Sequence, residues 1–503
     1  MTIEILDTTL RDGEQTSGVS FTDSEKFTMA RLILEELKVD RLEIASARVS
    51  EGEFKASKKI LDWAKENGYH DRVEILGFVD GNTSLKWIKE AGGKVINLLC
   101  KGSLKHCERQ LNKTPAQHLE DILQTLTFAK EMDIRVNIYL EDWSNGMIDS
   151  PEYVYTLIEG IKDQGIEHMM LPDTLGVLNH EQTAIFCRDM ITRYPDVKFD
   201  FHAHNDYDLS AANVYEAAKA GIQGIHSTLN GLGERAGNVP LSSVIGVLRD
   251  HLGMNLNVDE TKLYQVSKVV ESFSGVRIPP NKPLIGEFVF TQTSGIHADG
   301  DNKDNLYHNP LLPSRFGRSY TYALGKLSGK SSIKKNLEAL GIELSKEETN
   351  KVTQKIIELG DKKENITVDD LPYILKEVLG TKVEDPTVKI KNYSLSVAQG
   401  MRSMATLKME IEGKVYEETS SGDGQYDAFM NSLSVIYKKL KRKLPRLVDY
   451  EVHIPPGGST DAFVITTITW ENGRKFKTRG LDPDQAVAAI KATVKMLNLI
   501  ENN

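Results

Sequence analysis

Cysteine is scarce in this sequence. Its 503 residues include three, Cys100, Cys107 and Cys187, and none forms a CxxC pair. That spacing excludes a disulfide framework or a cysteine-built zinc site as the organising device. Basic residues are in the minority, with 62 Lys and Arg against 72 Asp and Glu and a net charge of −10. A main role on nucleic acid is excluded with them, because neutralising phosphates needs a basic surface. No apolar run approaches the roughly 18 residues that a membrane span requires. The first residues, MTIEILDTTLRDGEQ, have neither a basic n-region nor an apolar h-region. No GxGxxG follows the first apolar run, which argues against a dinucleotide-binding start. No segment is of low complexity. The expectation is a soluble, cytoplasmic chain, long enough for two to four domains with large cores.

What is there is alternation. Eight short apolar runs occupy the first half: Ile3–Leu6, Leu42–Ala45, Val73–Val79, Val95–Leu99, Val136–Leu140, Met169–Leu171, Lys198–Phe201 and Gly224–Thr228. Amphipathic stretches lie between them, such as Ser24–Leu37, Pro115–Lys130, Pro151–Gln164 and Glu181–Tyr194. Strand–helix alternation predicts a parallel sheet with crossover helices, and eight units in roughly 250 residues is the (β/α)8 count. A doubly wound open sheet is the alternative α/β arrangement. From about Asp259 to Ser319 prolines interrupt any long period, and the segment reads as an irregular connector. Residues 328–381 are helical and charged. After about Pro386 strand patterns return in TVKIKNYSLSV, SMATLKMEIEG, KVYEETSSG, VDYEVHI and DAFVITTITWENG, with helices over Tyr426–Lys441 and Pro483–Leu497. This end reads as an α+β domain of two strand–strand–helix halves. GDGQYDAFMNSL and LDPDQAVAAIKA hint at an internal repeat. The domains expected are 1–262 barrel, 263–320 connector, 321–385 helical connector and 386–503 C-terminal domain.

In a barrel the strand ends carry the chemistry. Strand 1 is followed by Arg11 and Asp12, strand 5 runs into Tyr139 and Glu141, and strand 7 ends in His202-Ala203-His204. Residues two apart on a strand share a face, so both imidazoles can reach one ion. A bare HxH also occurs as a hydrogen-bonded pair. Asp12 can add a carboxylate, and Asn238, in GLGERAGN after strand 8, an amide oxygen. Such a set suits Mn2+, Zn2+ or Mg2+, and an ion with open positions polarises a carbonyl. Arg11 beside it is suited to a carboxylate or a developing oxyanion; a salt bridge to Asp7 or Glu43 is its other use.

DTTLRDGEQ, FHAHND and NGLGERAGN together resemble the 2-isopropylmalate synthase, homocitrate synthase and citramalate synthase family. SGIHADG, GDGQYDAF and PPGGSTDA are similar to its accessory and regulatory regions, so the resemblance spans the whole chain. EIASARVSEGE, EILGFVDGN, IYLEDWSNG and LPDTLGVL are most similar to the family's pyruvate-using, isoleucine-regulated branch. The resemblance implies a transferase that condenses acetyl-CoA with a 2-oxo acid, here pyruvate, at the entry to isoleucine synthesis. It implies a divalent metal, Mn2+ foremost, on Asp12, His202 and His204 with Asn238 nearby. Arg11 and Thr174 would contact the 2-oxo acid, and Leu76, Leu99 and Tyr139 would wall its side chain. Glu141 would be the catalytic carboxylate; whether it or a His297-linked arrangement is the base stays open. His297 and Tyr307 would come from a second subunit, which implies a homodimer. Family HxH motifs often read HGH, and Ala203 departs from that without blocking either imidazole. In the C-terminal domain, Tyr426, Asp427, Leu447, Tyr450, Ile454, Pro483 and Gln485 would form an isoleucine pocket. Open alternatives are 2-isopropylmalate synthase, an acyl-CoA lyase on the same barrel, and a non-catalytic amino-acid sensor.

Overall fold

The computed structural model of the protein describes residues 3–293, 300, 306–307, 309–339, 342–361, 366, 371–379, 387–453 and 464–501. The chain divides into two compact units, Met1–Thr291 with Tyr307–Thr321, and Gln292–Leu306 with Tyr322–Asn503.

In the first unit eight parallel strands close into a barrel in chain order. They are β1 (Glu4–Asp7), β2 (Arg41–Ser46), β3 (Val73–Phe78), β4 (Val95–Lys101), β5 (Arg135–Glu141), β6 (Met169–Asp173), β7 (Phe199–Ala203) and β8 (Gly224–Ser227). Each of the eight apolar runs lies on one of them, and β8 pairs with β1 to remove any edge. The open-sheet alternative is thereby excluded. Both faces of these strands are covered, which is why their sequences are apolar runs rather than clean alternations. Several of the helices between strands start at side-chain caps. The Thr114 hydroxyl accepts from the Gln117 amide, and the Gln117 side chain returns to the Thr114 amide, opening the helix Pro115–Glu131. That helix buries Ile122, Leu126 and Ala129, part of one continuous apolar layer between helices and barrel. Inside the barrel the filling is different. A small apolar cluster of Leu6, Leu76, Tyr139 and Met170, with Leu99 against it, sits among buried charged and amide side chains.

In the second unit three helices, Lys330–Ala339, Lys346–Asp361 and Leu371–Leu379, share a core that includes Ile333, Val352, Ile356 and Leu371. Two similar halves follow. Strands Val388–Ser396, Ser403–Ile411 and Lys414–Gly422 form an antiparallel sheet and lead into helix Gln425–Lys439. Strands Arg446–His453, Val464–Asn472 and Arg474–Asp482 form a second and lead into helix Gln485–Glu501. Both halves feed one core, with Leu407, Phe429 and Leu433 from the first and Ile468, Trp470 and Met496 from the second. Each half therefore has three strands rather than the two of the strand–strand–helix reading, although the sequence patterns already marked all three of the first half. Strand Arg474–Asp482 escapes notice because its buried positions include Thr478 and Gly480 rather than large apolar residues. The repeat extends to glycine. A Cβ on Gly422 would meet the Ala428 amide at 2.3 Å, and one on Gly480 would meet the Ala488 carbonyl at 1.8 Å. In each half the last strand thus lies flush on the helix that follows.

Candidate metal centre and active site

Alternation along β7 puts Asp200, His202 and His204 on one side of the strand. Asp12 arrives from the turn after β1, where the amides of Arg11, Asp12 and Gly13 all donate to the Thr8 carbonyl. Asp12 Oδ2 lies 3.2 Å from His202 Nε2 and 4.0 Å from His204 Nε2. One ligand atom from each of the three lies within 4.8 Å of the other two, and all three residues are buried.

Asn238 reaches the same place through its backbone. It forms an antiparallel bridge with His204, and the Val239 amide donates to the Ala203 carbonyl at 3.0 Å. Its Nδ2 donates to the Leu232 carbonyl at 3.1 Å, while its Oδ1 is buried without a hydrogen-bond partner. Nδ1 of His202 and Nδ1 of His204 are likewise buried and unpartnered. Buried polar atoms in that condition are uncommon and call for an explanation. A carboxylate, two imidazoles and an amide oxygen are the donor set of a borderline divalent ion, so the residues fit a metal.

The electrostatics agree. Burial raises the Asp12 pKa, but Arg11 and the two imidazoles outweigh it and hold the carboxyl well below the usual carboxylate range. Burial, reinforced by His202, pushes His204 down to about 4. A charged carboxylate and a neutral imidazole are the forms that bind metal.

Arg11 is fixed on three sides. Its Nε donates to Glu43 Oε2 at 2.5 Å, its Nη2 to the Tyr139 hydroxyl at 3.2 Å, and its Nη1 stands 3.5 Å from Asp12 Oδ2. Of the two salt-bridge partners foreseen, Glu43 is the one used. Glu43 also accepts from Asn97 Nδ2 at 2.7 Å, and Asn97 Oδ1 accepts from Asn137 Nδ2 at 2.9 Å. Leu76, Leu99 and Tyr139 come together as one wall, with Leu6 and Met170 completing it. Glu141 ends β5 and pairs in register with Lys101, whose ammonium forms an ion pair with its carboxylate. Thr174 accepts from the Asp142 amide at 2.9 Å, and its carbonyl accepts from Arg235 at 2.7 Å.

Tyr307 is 46% exposed in the first unit. His297 and Ile454 lie outside the described residues. In the second unit the Tyr426 and Tyr450 rings are 5.5 Å apart, and the Tyr426 hydroxyl meets that of Thr493 at 2.7 Å. The Asp427 carboxylate accepts from the Asp423 amide at 2.9 Å. Leu447 is 40% exposed, and Pro483 and Gln485 are exposed at the start of the last helix.

Lys101, His226 and the Asn97–Asn137 pair went unremarked in the sequence. Their signal was strand phase: Lys101 stands two residues beyond Leu99, and His226 two beyond Gly224, each facing inward.

The barrel matches the HMGL-like family over residues 2–270. Residues 284–364 match the homocitrate synthase post-HMGL domain-like family, and residues 365–501 the LeuA allosteric (dimerisation) domain. The (R)-citramalate synthase CimA of Methanocaldococcus jannaschii is 32% identical, with 100% of both chains covered. The 2-isopropylmalate synthase of Aquifex aeolicus is 32% identical over 99% of this chain and 95% of its own. The 2-isopropylmalate synthase of Methanocaldococcus jannaschii is 30% identical over 99% of this chain and 94% of its own. A solved hydroxymethylglutaryl-CoA lyase from Pseudomonas aeruginosa covers 55% of this chain and 94% of its own, at 20% identity and a TM-score of 0.49. The chain belongs to the HMGL-like family of barrel proteins. Within that family its similarity to citramalate and 2-isopropylmalate synthases runs over essentially its whole length.

Proposed function

We propose that the protein condenses acetyl-CoA with pyruvate and water to give (R)-citramalate and CoA. The observation that carries this reading is the apolar wall of Leu6, Leu76, Leu99, Tyr139 and Met170 beside Arg11 and Asp12. A methyl group suits such a wall, whereas the isopropyl group of 3-methyl-2-oxobutanoate needs room that Leu99 and Tyr139 occupy. Several full-length relatives bear the citramalate synthase name, which supports the same choice.

Asp12, His202 and His204 would hold a divalent ion, Mn2+ in this reading with Mg2+ or Zn2+ as alternatives, and Asn238 would add its free amide oxygen. Bound there, the ion supplies Lewis-acid polarisation of the 2-oxo group. Arg11, already fixed by Glu43 and Tyr139, orients the 2-oxo acid and stabilises the oxyanion formed at its C2. Thr174 contacts the substrate carboxylate. Glu141 accepts a proton from the acetyl methyl, with Lys101 fixing the carboxylate in place. His297 and Tyr307 would be contributed by a second copy in a homodimer, in keeping with the dimerisation domain that residues 365–501 match. In this scheme residues 1–262 are catalytic, 263–320 and 321–385 connect, 386–503 regulate, and the enzyme works in the cytoplasm. Among the described residues no helix is long and apolar enough to cross a membrane. The test is thiol release from acetyl-CoA with pyruvate, 2-oxobutanoate, 3-methyl-2-oxobutanoate and 2-oxoglutarate side by side. Pyruvate should give the highest kcat/KM; preference for 3-methyl-2-oxobutanoate would replace this reading with 2-isopropylmalate synthase.

Isoleucine is the proposed effector, taken between the Gly-rich turns of the last domain. Leu447, Tyr450, Ile454 and Pro483 would meet its side chain, and Tyr426, Asp427 and Gln485 its polar groups. The initial rate should fall with isoleucine more steeply than with leucine. A chain ending near Lys382 should lose that response while keeping some condensation activity. Stronger inhibition by leucine would reassign the effector.

A further inference from the structure

A column of polar side chains runs down the inside of the barrel beneath the metal-ligand cluster. The Tyr139 hydroxyl stands 3.2 Å from Arg11 Nη2 and 3.0 Å from His226 Nδ1. His226 Nε2 lies 3.2 Å from Asp200 Oδ2. The same carboxylate pairs with Arg41 and meets His168 Nδ1 at 2.9 Å. Asp200 is 0% exposed, His226 1% and Tyr139 3%, so water does not substitute for these partners. The barrel reserves space for the carboxylate: a Cβ on Gly224 would come 2.1 Å from Asp200 Oδ1.

The hydrogens in this column have one consistent arrangement. Both arginines only donate. Asp200, paired with Arg41, only accepts, so His226 carries its hydrogen on Nε2. The Tyr139 oxygen receives a hydrogen from Arg11, so its own hydrogen needs an acceptor, and Nδ1 of His226 is the one within reach. The column therefore runs in one direction, from Arg11 to Tyr139 to His226 to Asp200.

We propose that His226, locked by Asp200 in the Nε2–H tautomer, is a positioning residue that holds the Arg11 guanidinium beside Asp12 through the Tyr139 hydroxyl. The proposal rests on the reading of Arg11 as the group that meets the 2-oxo acid. Without a fixed acceptor at Tyr139, Arg11 keeps its hydrogen bond to Glu43 and only the longer 3.5 Å ion pair to Asp12, and can turn about Glu43. Misplacement of a positioning group by about 1 Å costs on the order of 100-fold in rate.

Three variants separate this role from a purely structural one, tested in the full-length, metal-loaded enzyme. His226→Asn keeps an acceptor near the Nδ1 position, His226→Gln keeps a donor near the Nε2 position, and Tyr139→Phe removes the link from the other side. In crystal structures of the variants Arg11 should stay in place in His226→Asn and leave it in the other two, with Asp12, His202 and His204 unmoved. With pyruvate, His226→Asn should lose less than about tenfold in kcat, and His226→Gln and Tyr139→Phe about 100-fold. KM for acetyl-CoA should not change. The double variant His226→Gln/Tyr139→Phe should lose no more than either single one, because both break the same link. Arg11 unmoved in His226→Gln or Tyr139→Phe would overturn the proposal, as would losses that multiply in the double variant. Arg11 displaced with turnover of pyruvate intact would uphold the positioning and refute the role given to Arg11. Wild-type enzyme inactive on every 2-oxo acid would refute the proposed function, and the Arg11 positions would still decide the role of His226.

Discussion

Asn238 pairs with His204 across an isolated antiparallel bridge, joining the glycine-rich loop after β8 to the end of β7. Two separate motifs, HAH and GLGERAGN, are thereby one construction. The loop can make the approach because its glycines take backbone conformations that other residues resist. Gly237 has φ +81°, and a Cβ there would lie 1.9 Å from the Gly231 carbonyl oxygen. Gly237→Ala should therefore pull Asn238 from His204 and lower metal affinity, tenfold or more, the range seen when groups supporting a metal ligand are removed. Metal content after dialysis against a graded series of free Mn2+ reads this directly. Full occupancy at wild-type concentrations would mean that the loop does not help to hold the ion.

Removal of metal should also be visible in stability. An ion that binds only the folded chain adds about 2.7 kcal/mol at a hundred times its Kd. Stripped enzyme should melt at a lower temperature than metal-loaded enzyme, and Asp12→Asn should show no such difference. Metal should restore activity to the stripped wild type and not to the variant. If stripped wild type keeps full activity, Asp12, His202 and His204 are a hydrogen-bonded cluster and not a metal centre.

Leu99 lies beside Tyr139 in the register of β4 and β5 and packs on the small apolar cluster inside the barrel. Leu99→Ala opens that wall without touching the hydrogen bonds of Tyr139. A change of a few methylenes in such a pocket is worth about 1–3 kcal/mol. The ratio of kcat/KM for 3-methyl-2-oxobutanoate to that for pyruvate should rise tenfold or more. An unchanged ratio would place the 2-oxo acid's side chain elsewhere.

The barrel was legible because eight covered strands must be apolar and because their connections recur at regular intervals. Asp12, His202 and His204 were legible because two-residue periodicity and strand-end position both pointed at the mouth. Leu76, Leu99 and Tyr139 stood out through the resemblance, since apolar residues on a strand have no signature of their own. Lys101, Asn97, Asn137 and His226 were not seen. Their partners, Glu141, Glu43 and Tyr139, are on other strands, and pairing across a barrel is set by register, which a single sequence does not display. Strand Arg474–Asp482 was hidden for a different reason. What it buries includes a threonine and a glycine, so its inward face carries little hydrophobic signal.

Asp7, at the end of β1, gives a pH dependence of its own. Its carboxyl is 0% exposed; one oxygen accepts from the Thr9 amide at 2.9 Å, and the other is buried without a partner. Burial, only partly offset by Thr9, pushes it up from 3.8 to about 7. Between those two values the folded chain holds a proton that the unfolded chain has released, so stability falls as pH rises through this window. Below pH 3.8 both states are protonated and there is no cost, and above about 7 both are ionised and the cost is constant. Each unit is about 1.4 kcal/mol, which sets an upper limit of about 4 kcal/mol on the effect. Asp7→Asn keeps an acceptor for Thr9 and removes the titration. The stability of the variant minus that of wild type should therefore climb from pH 4 to pH 7 and level off above it. Other titrating groups are common to both proteins and cancel in that difference. Denaturant unfolding of the metal-free proteins at a series of pH values measures it. Parallel curves would show that Asp7 is ionised throughout, with a neighbour stabilising its charge.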